Sequence, residues 1–193
     1  MRQSSSTSAI KKTLKYSERD ADKRVAFLRE LRQLAPVYGF ENIVYLDETG
    51  FEATSHRPHG WGKIGCKVHG DRSGNKRPRT SLIAAKRGRQ LLAPVLFEGA
   101  TNANWFNQWL KYHLLPALSN PSVIILDNAA FHKTTPTLRI IDDSPHVLLF
   151  LPPYSPDFNP IENDFAILKK RRQFALPSSS LDLIINKYIS YLE

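Results

Sequence analysis

Three carboxylates in this 193-residue chain stand where chemistry could use them. Asp47 ends the apolar run IVYL (43–46), Asp127 ends the run VIIL (123–126), and Glu162 follows VLLFL (147–151) across the Pro-rich tract PPYSPDFNP. Short β-branched and aliphatic runs bounded by turn residues read as buried strands. An acid at the carboxyl end of such a strand lies at the rim of the sheet, where α/β folds place their chemistry. Pro160 suits the first turn of a helix, and that helix would carry Glu162. Taken singly, each acid has an ordinary reading as turn former, cap or partner of a helix dipole. Brought together they do not, because two carboxylates about 4 Å apart repel by roughly 4 kcal/mol at an effective dielectric near 20. Three such anions need a cation. Hard oxygen donors suit Mg²⁺, with Mn²⁺ as a substitute. Two ions about 3.5–4 Å apart activate an attacking water or 3′-hydroxyl and stabilise the leaving oxygen of an in-line phosphoryl displacement. The expectation is that Asp47, Asp127 and Glu162 converge as catalytic residues and metal ligands.

Charge points to the same substrate class. The chain carries 27 Lys and Arg against 18 Asp and Glu, a net charge of +9 with a pI near 9.7, which favours a polyanionic partner. The excess is local: residues 63–89 hold Lys63, Lys67, Arg72, Lys76, Arg77, Arg79, Lys86, Arg87 and Arg89 against Asp71 alone. A second basic cluster, Lys169–Arg172, follows Glu162 on the same expected helix. Lys63, Lys67, Arg72, Lys76, Arg77 and Arg79 are the candidates for DNA phosphate contacts. Hydrophobic residues make up 41% and charged residues 23%, a soluble globular composition. No run approaches the 18 apolar residues of a membrane span, and MRQSSSTSAIKK lacks the apolar core of a secretory signal. Cys66 is the only cysteine, which excludes an intrachain disulfide and a Cys-based zinc site and fits a reducing cytosol.

The elements that must position the acids follow from periodicity. Residues 1–16 read as a disordered tail. Ser17-Glu-Arg-Asp20 has the form of a capping box and opens an amphipathic helix, with Ala21, Val25, Leu28, Leu31 and Ala35 at helical spacing, that ends before Pro36. Ile43–Leu46 is the first strand, and 51–74 a hairpin and loop. Thr80–Ala85 and Leu91–Phe97 form a hairpin turning at Gly88. Asn102 caps a helix to about Ala117, whose Trp105, Trp109 and Tyr112 are read as a core-packing stripe. Ser122–Leu126 is the central strand, Thr135–Ile141 a short helix and Val147–Leu151 a strand. Ile161, Phe165 and Leu168 then line the helix begun by Pro160. Ser180 caps a final helix with Leu181, Ile184, Tyr188 and Leu192 on one face. The order predicts an α/β fold, a mixed sheet with an antiparallel hairpin side and a parallel side. The segments are a tail (1–16), a linker helix (17–40), a catalytic domain (41–176) and a C-terminal helix (177–193).

Other polar residues are weighed beside the acids. Glu48 and Asn128 adjoin the proposed ligands and are candidates to support them. His132 is expected to make a structural hydrogen bond rather than to reach a phosphate. Asp157 and Asp164 are read as turn and surface residues, Asp142-Asp143 as a loop, and Cys66 as passive. His56, His59 and His69 lie in the basic loop without the Cys or spaced acids of a zinc site.

At this point a family resemblance becomes specific. LDETGF (46–51), LDNAAFHK (126–133) and LPPYSPDFNPIEN (151–163) resemble the three catalytic blocks of DDE transposases of bacterial insertion sequences related to mariner elements. The 34 residues between Asp127 and Glu162 (128–161) match the spacing of that superfamily, and GWGK (60–63) and SLIAA (81–85) match its pattern. The resemblance covers roughly Lys12 to Arg172. It implies a ribonuclease-H-like mixed sheet flanked by helices, with Asp47 on the first strand, Asp127 on the fourth and Glu162 on the following helix. It implies two Mg²⁺ ions and cut-and-paste transposition: metal-dependent cleavage of DNA ends, then strand transfer, usually into TA dinucleotides. The implied partners are double-stranded DNA, as terminal inverted repeats and as target, and a second copy of the chain on that DNA. The implied setting is the bacterial cytoplasm, at the nucleoid and away from membrane. Two departures stand out. Paired helix-turn-helix domains usually precede the catalytic part, whereas fewer than 20 residues precede the first helix here, and Phe165 stands where the family often has Trp. Two other readings stay open: a non-catalytic DNA-binding remnant or repressor, and another ribonuclease-H-like nuclease that needs no inverted repeats.

Overall fold

The computed structural model describes residues 18–52, 63–67, 79–176 and 178–192. Its sheet is built on β1 (Ile43–Glu52), with β2 (Arg79–Arg87), β3 (Gln90–Glu98), β4 (Val123–Leu126) and β5 (Val147–Phe150) in the order β3-β2-β1-β4-β5. β1, β2 and β3 run antiparallel, while β4 and β5 lie parallel to β1. β1 continues six residues past its expected end at Leu46. The apolar run stops there, but antiparallel pairing with β2 continues from Val44 to Glu52. Backbone hydrogen bonds to a neighbouring strand, not side-chain hydrophobicity, hold the polar half of β1 extended.

Period-2 alternation sends successive β1 residues to opposite faces. Val44 and Leu46 join Ile83, Ala85, Ile124 and Leu126 in a core with Phe106, Trp109, Leu110 and Leu114. Those last four residues belong to α2 (Ala103–Trp109) and the π-helical turn Leu110–Leu114 that leads into α3 (Leu115–Ala117). Their spacing keeps them on one side, which leaves Tyr112 outside the stripe and 61% exposed, contrary to the sequence expectation. Asn102 caps α2 as expected, accepting from the Trp105 amide at 2.9 Å. The Trp109 indole N–H donates to the carbonyl of Ala93 at 2.9 Å. Ala93 has a left-handed φ of 47° beside a register shift in β3, so the core tryptophan satisfies a carbonyl at the irregularity.

The other face carries α1 (Ala21–Tyr38), α5 (Ile161–Phe174) and α6 (Leu181–Leu192). Phe27 of α1 packs with Val123, Ile125 and Leu149. Ile161, Phe165 and Leu168 of α5 meet Phe51, Leu82 and Ala84, with Ile184, Ile185 and Tyr188 of α6 against them. Asp20 caps α1, accepting from the Asp22 and Lys23 amides at 3.0 and 3.1 Å, while Ser17 of the expected capping box lies outside the described residues. The helix also runs past Pro36 to Tyr38 and stops at Gly39. A proline in the last turn removes one ladder bond, and Ala35 and Tyr38 are held there by packing. α4 (Thr135–Asp142) takes in Asp142, which had been read as loop.

Candidate active site

β1 and β4 are paired only over Ile43–Tyr45 and Val123–Ile125, each residue facing the one 80 positions later. Carried two residues further, that register sets Asp47 level with Asp127, both on the face of Tyr45 and Ile125. Here β4 has ended at Leu126, while β1 continues along β2. The gap that opens is a cleft of about 460 Å³, lined by Asp47, Asp127, Asn128, Asn159, Glu162 and the turn Leu151–Pro156. Glu162 enters from the first turn of α5. All three acids singled out in the sequence therefore line one cleft. Among the described residues, no group of three or more His, Cys, Asp and Glu side chains is drawn together tightly enough to hold a metal ion.

Each aspartate is tethered by bonds of its own. Asp47 accepts from the Glu48 amide at 2.7 Å and, through Oδ2, from the Asn159 side-chain amide at 3.0 Å. Burial pushes its carboxyl up to about 7 against the pull of the Glu48 amide, and the charges of Glu162, Asp127 and Glu48 push the same way as burial. Asp127 accepts from the Ala129 amide at 3.1 Å and from His132 Nδ1 at 2.7 Å. Burial acts upward on Asp127 too, but the His132 ring, the Ala129 amide and the His132 charge outweigh it, and its carboxyl lies below the usual range.

Behind Asp127, His132 is buried, its ring packed at a tilt against Phe106 at 4.3 Å and Phe131 at 4.1 Å. With Nδ1–H donated to Asp127, its Nε2 faces Glu48 Oε1 at 4.0 Å, and the other Glu48 oxygen accepts from the Thr101 hydroxyl. Burial raises the Glu48 carboxyl; the Thr101 bond and the His132 charge pull it down, and Asp127 adds to the rise. The side chain of Glu48 leaves β1 on the face opposite Asp47 and lines a separate cleft of about 650 Å³ with Arg79, Ser81, Glu98 and Thr101. The structural hydrogen bond expected of His132 is present, and the contacts that join Glu48 to Asp127 run through that ring.

Several residues are not where the sequence reading put them. Asp164 is buried: the Tyr188 hydroxyl donates to its Oδ1 at 2.5 Å and Lys86 Nζ lies 2.7 Å from its Oδ2. Lys86 thus leaves the basic stretch to pair within the core. In the second basic cluster, Arg171 lies over the rings of Tyr188 and Tyr191, and Arg172 donates to the Ser179 carbonyl at 2.7 Å. Lys169 and Lys170 stay exposed. Lys63 and Lys67 are exposed, and Arg72, Lys76 and Arg77, like His56, His59 and His69, lie outside the described residues. Arg79 starts β2, its guanidinium lying across Gly50, where a Cβ would come within 1.7 Å of Nε. Asn159 was missed. It stood in the quoted tract without a carboxylate's chemistry to draw notice, and its bond to Asp47 spans 112 residues.

The strand order, with two antiparallel strands beside three parallel ones, Asp47 within β1 and Asp127 just past the end of β4, is that of the ribonuclease-H-like fold. The chain belongs to the DDE superfamily endonucleases, whose family model matches residues 42–184. Solved structures agree on the fold. A Mos1 transposase paired-end complex with left transposon end superposes with a TM-score of 0.74 over 94% of this chain and 59% of that one, at 18% identity. A Mos1 mariner paired-end complex with Mn gives 0.72 over 94% and 58%, at 19% identity. The catalytic domain of Mos1 mariner transposase gives 0.59 over 95% and 92%, at 15% identity. The uncharacterized protein y4pE/y4sA of Sinorhizobium fredii (strain NBRC 101917 / NGR234) is 44% identical over 48 residues, 25% of this chain and 33% of that protein. This chain thus spans about three-fifths of the transposase chains in the paired-end complexes and a third of the curated relative. Among the described residues, no helix is long and apolar enough to cross a membrane.

Proposed function

We propose that this chain carries the catalytic part of a cut-and-paste DNA transposase, which cleaves the ends of a mobile element and joins them to target DNA. The observation that carries this reading is the shared cleft of Asp47, Asp127 and Glu162, supplied by three separate elements. In this reading these acids are the catalytic residues and would hold the metal. The donor set fits a hard divalent cation: carboxylate oxygens, a buried Asn159 Oδ1 without a hydrogen-bond partner, and an Asp47 carboxyl that burial pushes up to about 7 and that a bound cation would hold ionised. Mos1 complexes with Mg and with Mn support Mg²⁺, with Mn²⁺ as a substitute. Bound as a pair, such ions supply Lewis-acid polarisation of the scissile phosphate and a more acidic attacking water.

The chain's own residues set the stage for two successive displacements. His132 and the Ala129 amide fix Asp127, while Asn159 and the Glu48 amide fix Asp47. Lys63, Lys67, Arg72, Lys76, Arg77 and Arg79 lie along the DNA phosphates in this reading. Water attacks phosphorus at the element's end and releases a 3′-hydroxyl. That hydroxyl then attacks a target phosphodiester, transferring the strand with one P–O bond made for each one broken. The partners are double-stranded DNA, as terminal inverted repeats and target, and a second copy of the chain bound to the same DNA. Residues 41–176 form the catalytic domain, 17–40 the linker helix leading into it and 177–193 a buttressing C-terminal helix. The setting is the bacterial cytoplasm, beside the nucleoid.

Calorimetric titration of Mn²⁺ at neutral pH into the wild type and Asp127→Asn, alone and with a DNA duplex, tests this. Saturable binding by the wild type, lost in the variant, is expected. Folded wild-type protein that binds no Mn²⁺ with or without the duplex refutes the assignment.

A further inference from the structure

The turn between β5 and α5 brings Asn159 to Asp47 and Glu162 to the cleft, yet it contains little regular structure of its own. Tyr154 sits at φ 54°, a left-handed backbone that a bulky side chain rarely adopts. Such a conformation persists only when its surroundings over-determine it. Arg24 of α1 holds the residues that follow Tyr154 in the turn. Its Nη1 donates to Ser155 Oγ at 2.7 Å and to Asp157 Oδ1 at 3.0 Å, and its Nη2 to Asp157 Oδ2 at 2.7 Å. The guanidinium also lies 3.8 Å from the centroid of the Phe158 ring, which stacks on Phe27 of the same helix at 5.5 Å. The Ser155 hydroxyl, receiving from Arg24, donates to the Pro153 carbonyl. One planar, always-charged fork thus engages three residues of the turn, a task for which a lysine ammonium has the wrong shape.

From these contacts, we propose that Arg24 is a positioning residue for the cleft, acting through the 153–159 turn on Asn159 and Glu162. The arrangement makes α1, which lies before the matched segment 42–184, part of the catalytic apparatus rather than a passive lead-in. A force or contact that tilts α1 is then felt at the acids. The proposal rests on the reading of Asp47, Asp127 and Glu162 as metal ligands.

The test compares wild type, Arg24→Lys and Asp157→Asn in the full chain by two readouts: amide hydrogen exchange without metal and Mn²⁺ affinity by calorimetry. Arg24→Lys should speed exchange at the bonded amides of Phe158, Asn159 and Glu162 while leaving the Leu151 amide, bonded to Leu126, protected. Its Mn²⁺ affinity should fall about tenfold or more, the usual cost of loosening a ligand's support. Asp157→Asn, whose side chain is half exposed, should shift both readouts the same way, and the double variant should add little. Wild-type exchange and wild-type affinity in both single variants overturn the proposal. Faster exchange with unchanged affinity overturns it too, reducing Arg24 to a structural clamp. A wild type that binds no Mn²⁺ instead overturns the ligand assignment beneath it.

Discussion

Replacing Asp164 by Asn should cost far more than its position in a charged helix suggests. The carboxylate is 3% exposed and joins three elements: it belongs to α5, takes the Tyr188 hydroxyl from α6 at 2.5 Å, and faces the Lys86 ammonium from β2 at 2.7 Å. The Lys86 contact is close but poorly directed as a hydrogen bond, so charge pairing is what it supplies. In Asp164→Asn the amide oxygen can still accept from Tyr188 while the amide NH2 replaces the oxygen that faces Lys86, so the loss falls on the ion pair. Removing one partner of a buried ion pair costs about 3–5 kcal/mol. With the Lys86 side chain 17% exposed, the loss should fall at the lower end, about 3 kcal/mol. Tyr188→Phe removes one hydrogen bond to a charged acceptor and should cost about 1.5–3 kcal/mol. Lys86→Met, Asp164→Leu and Tyr188→Phe combined remove every polar group at once and should return to within about 1 kcal/mol of wild type. Urea unfolding followed by circular dichroism, with equal m-values, reads all three. A cost under about 1 kcal/mol for Asp164→Asn, or a triple variant as unstable as the single one, would show that this joint does not hold the sheet, α5 and α6 together.

Three further outcomes are expected. His146 is held below its usual value of 6.5 by burial, and its Nδ1 accepts from the Ser122 amide at 3.1 Å. The unfolded chain therefore protonates first, so the stability His146 contributes is complete above 6.5 and drains as pH falls toward the lower folded value. The stability difference between wild type and His146→Gln should shrink between pH 7.5 and pH 5.5, and a constant difference refutes this. His132→Asn should leave the fold intact but weaken Mn²⁺ binding about 10–100-fold through the loss of the Asp127 tether; calorimetry with unchanged affinity would discard the tether. Lys63→Ala with Lys67→Ala should lower DNA affinity alike for all sequences and flatten the salt dependence by about one to two units of slope, whereas an unchanged slope removes both lysines from the interface.

How much of this could be read in advance varies residue by residue. Asp47, Asp127 and Glu162 were legible because each follows a local pattern, an apolar run or a proline at a helix start, and local pattern reflects short-range chain geometry. The mixed sheet was legible for the same reason, as were the Asn102 cap and the hairpin turning at Gly88. The polar half of β1 was not, because its extension depends on β2, more than 25 residues away in the chain. Asp164 read as surface because an acid in a helix's first turn usually is; what buries it is α6 and the Lys86 ammonium.

Sequence by itself determined which residues carry charge and oxygen donors, where the chain prefers strand or helix, that Asp47 and Asp127 terminate apolar runs and that Glu162 follows a proline helix start. Tertiary structure alone decided how those donors are held. The tethers linking Asp47 to Asn159 and Arg24 to Asp157 span 112 and 133 residues. His132 lies five residues from Asp127, yet its ring is held by Phe106, and Glu48 behind it is bonded to Thr101, 53 residues away. Such pairings leave no periodic trace, because a side chain's neighbours across a sheet or between helices are set by packing of the whole domain. The chemistry is written locally, and its geometry is imposed from a distance.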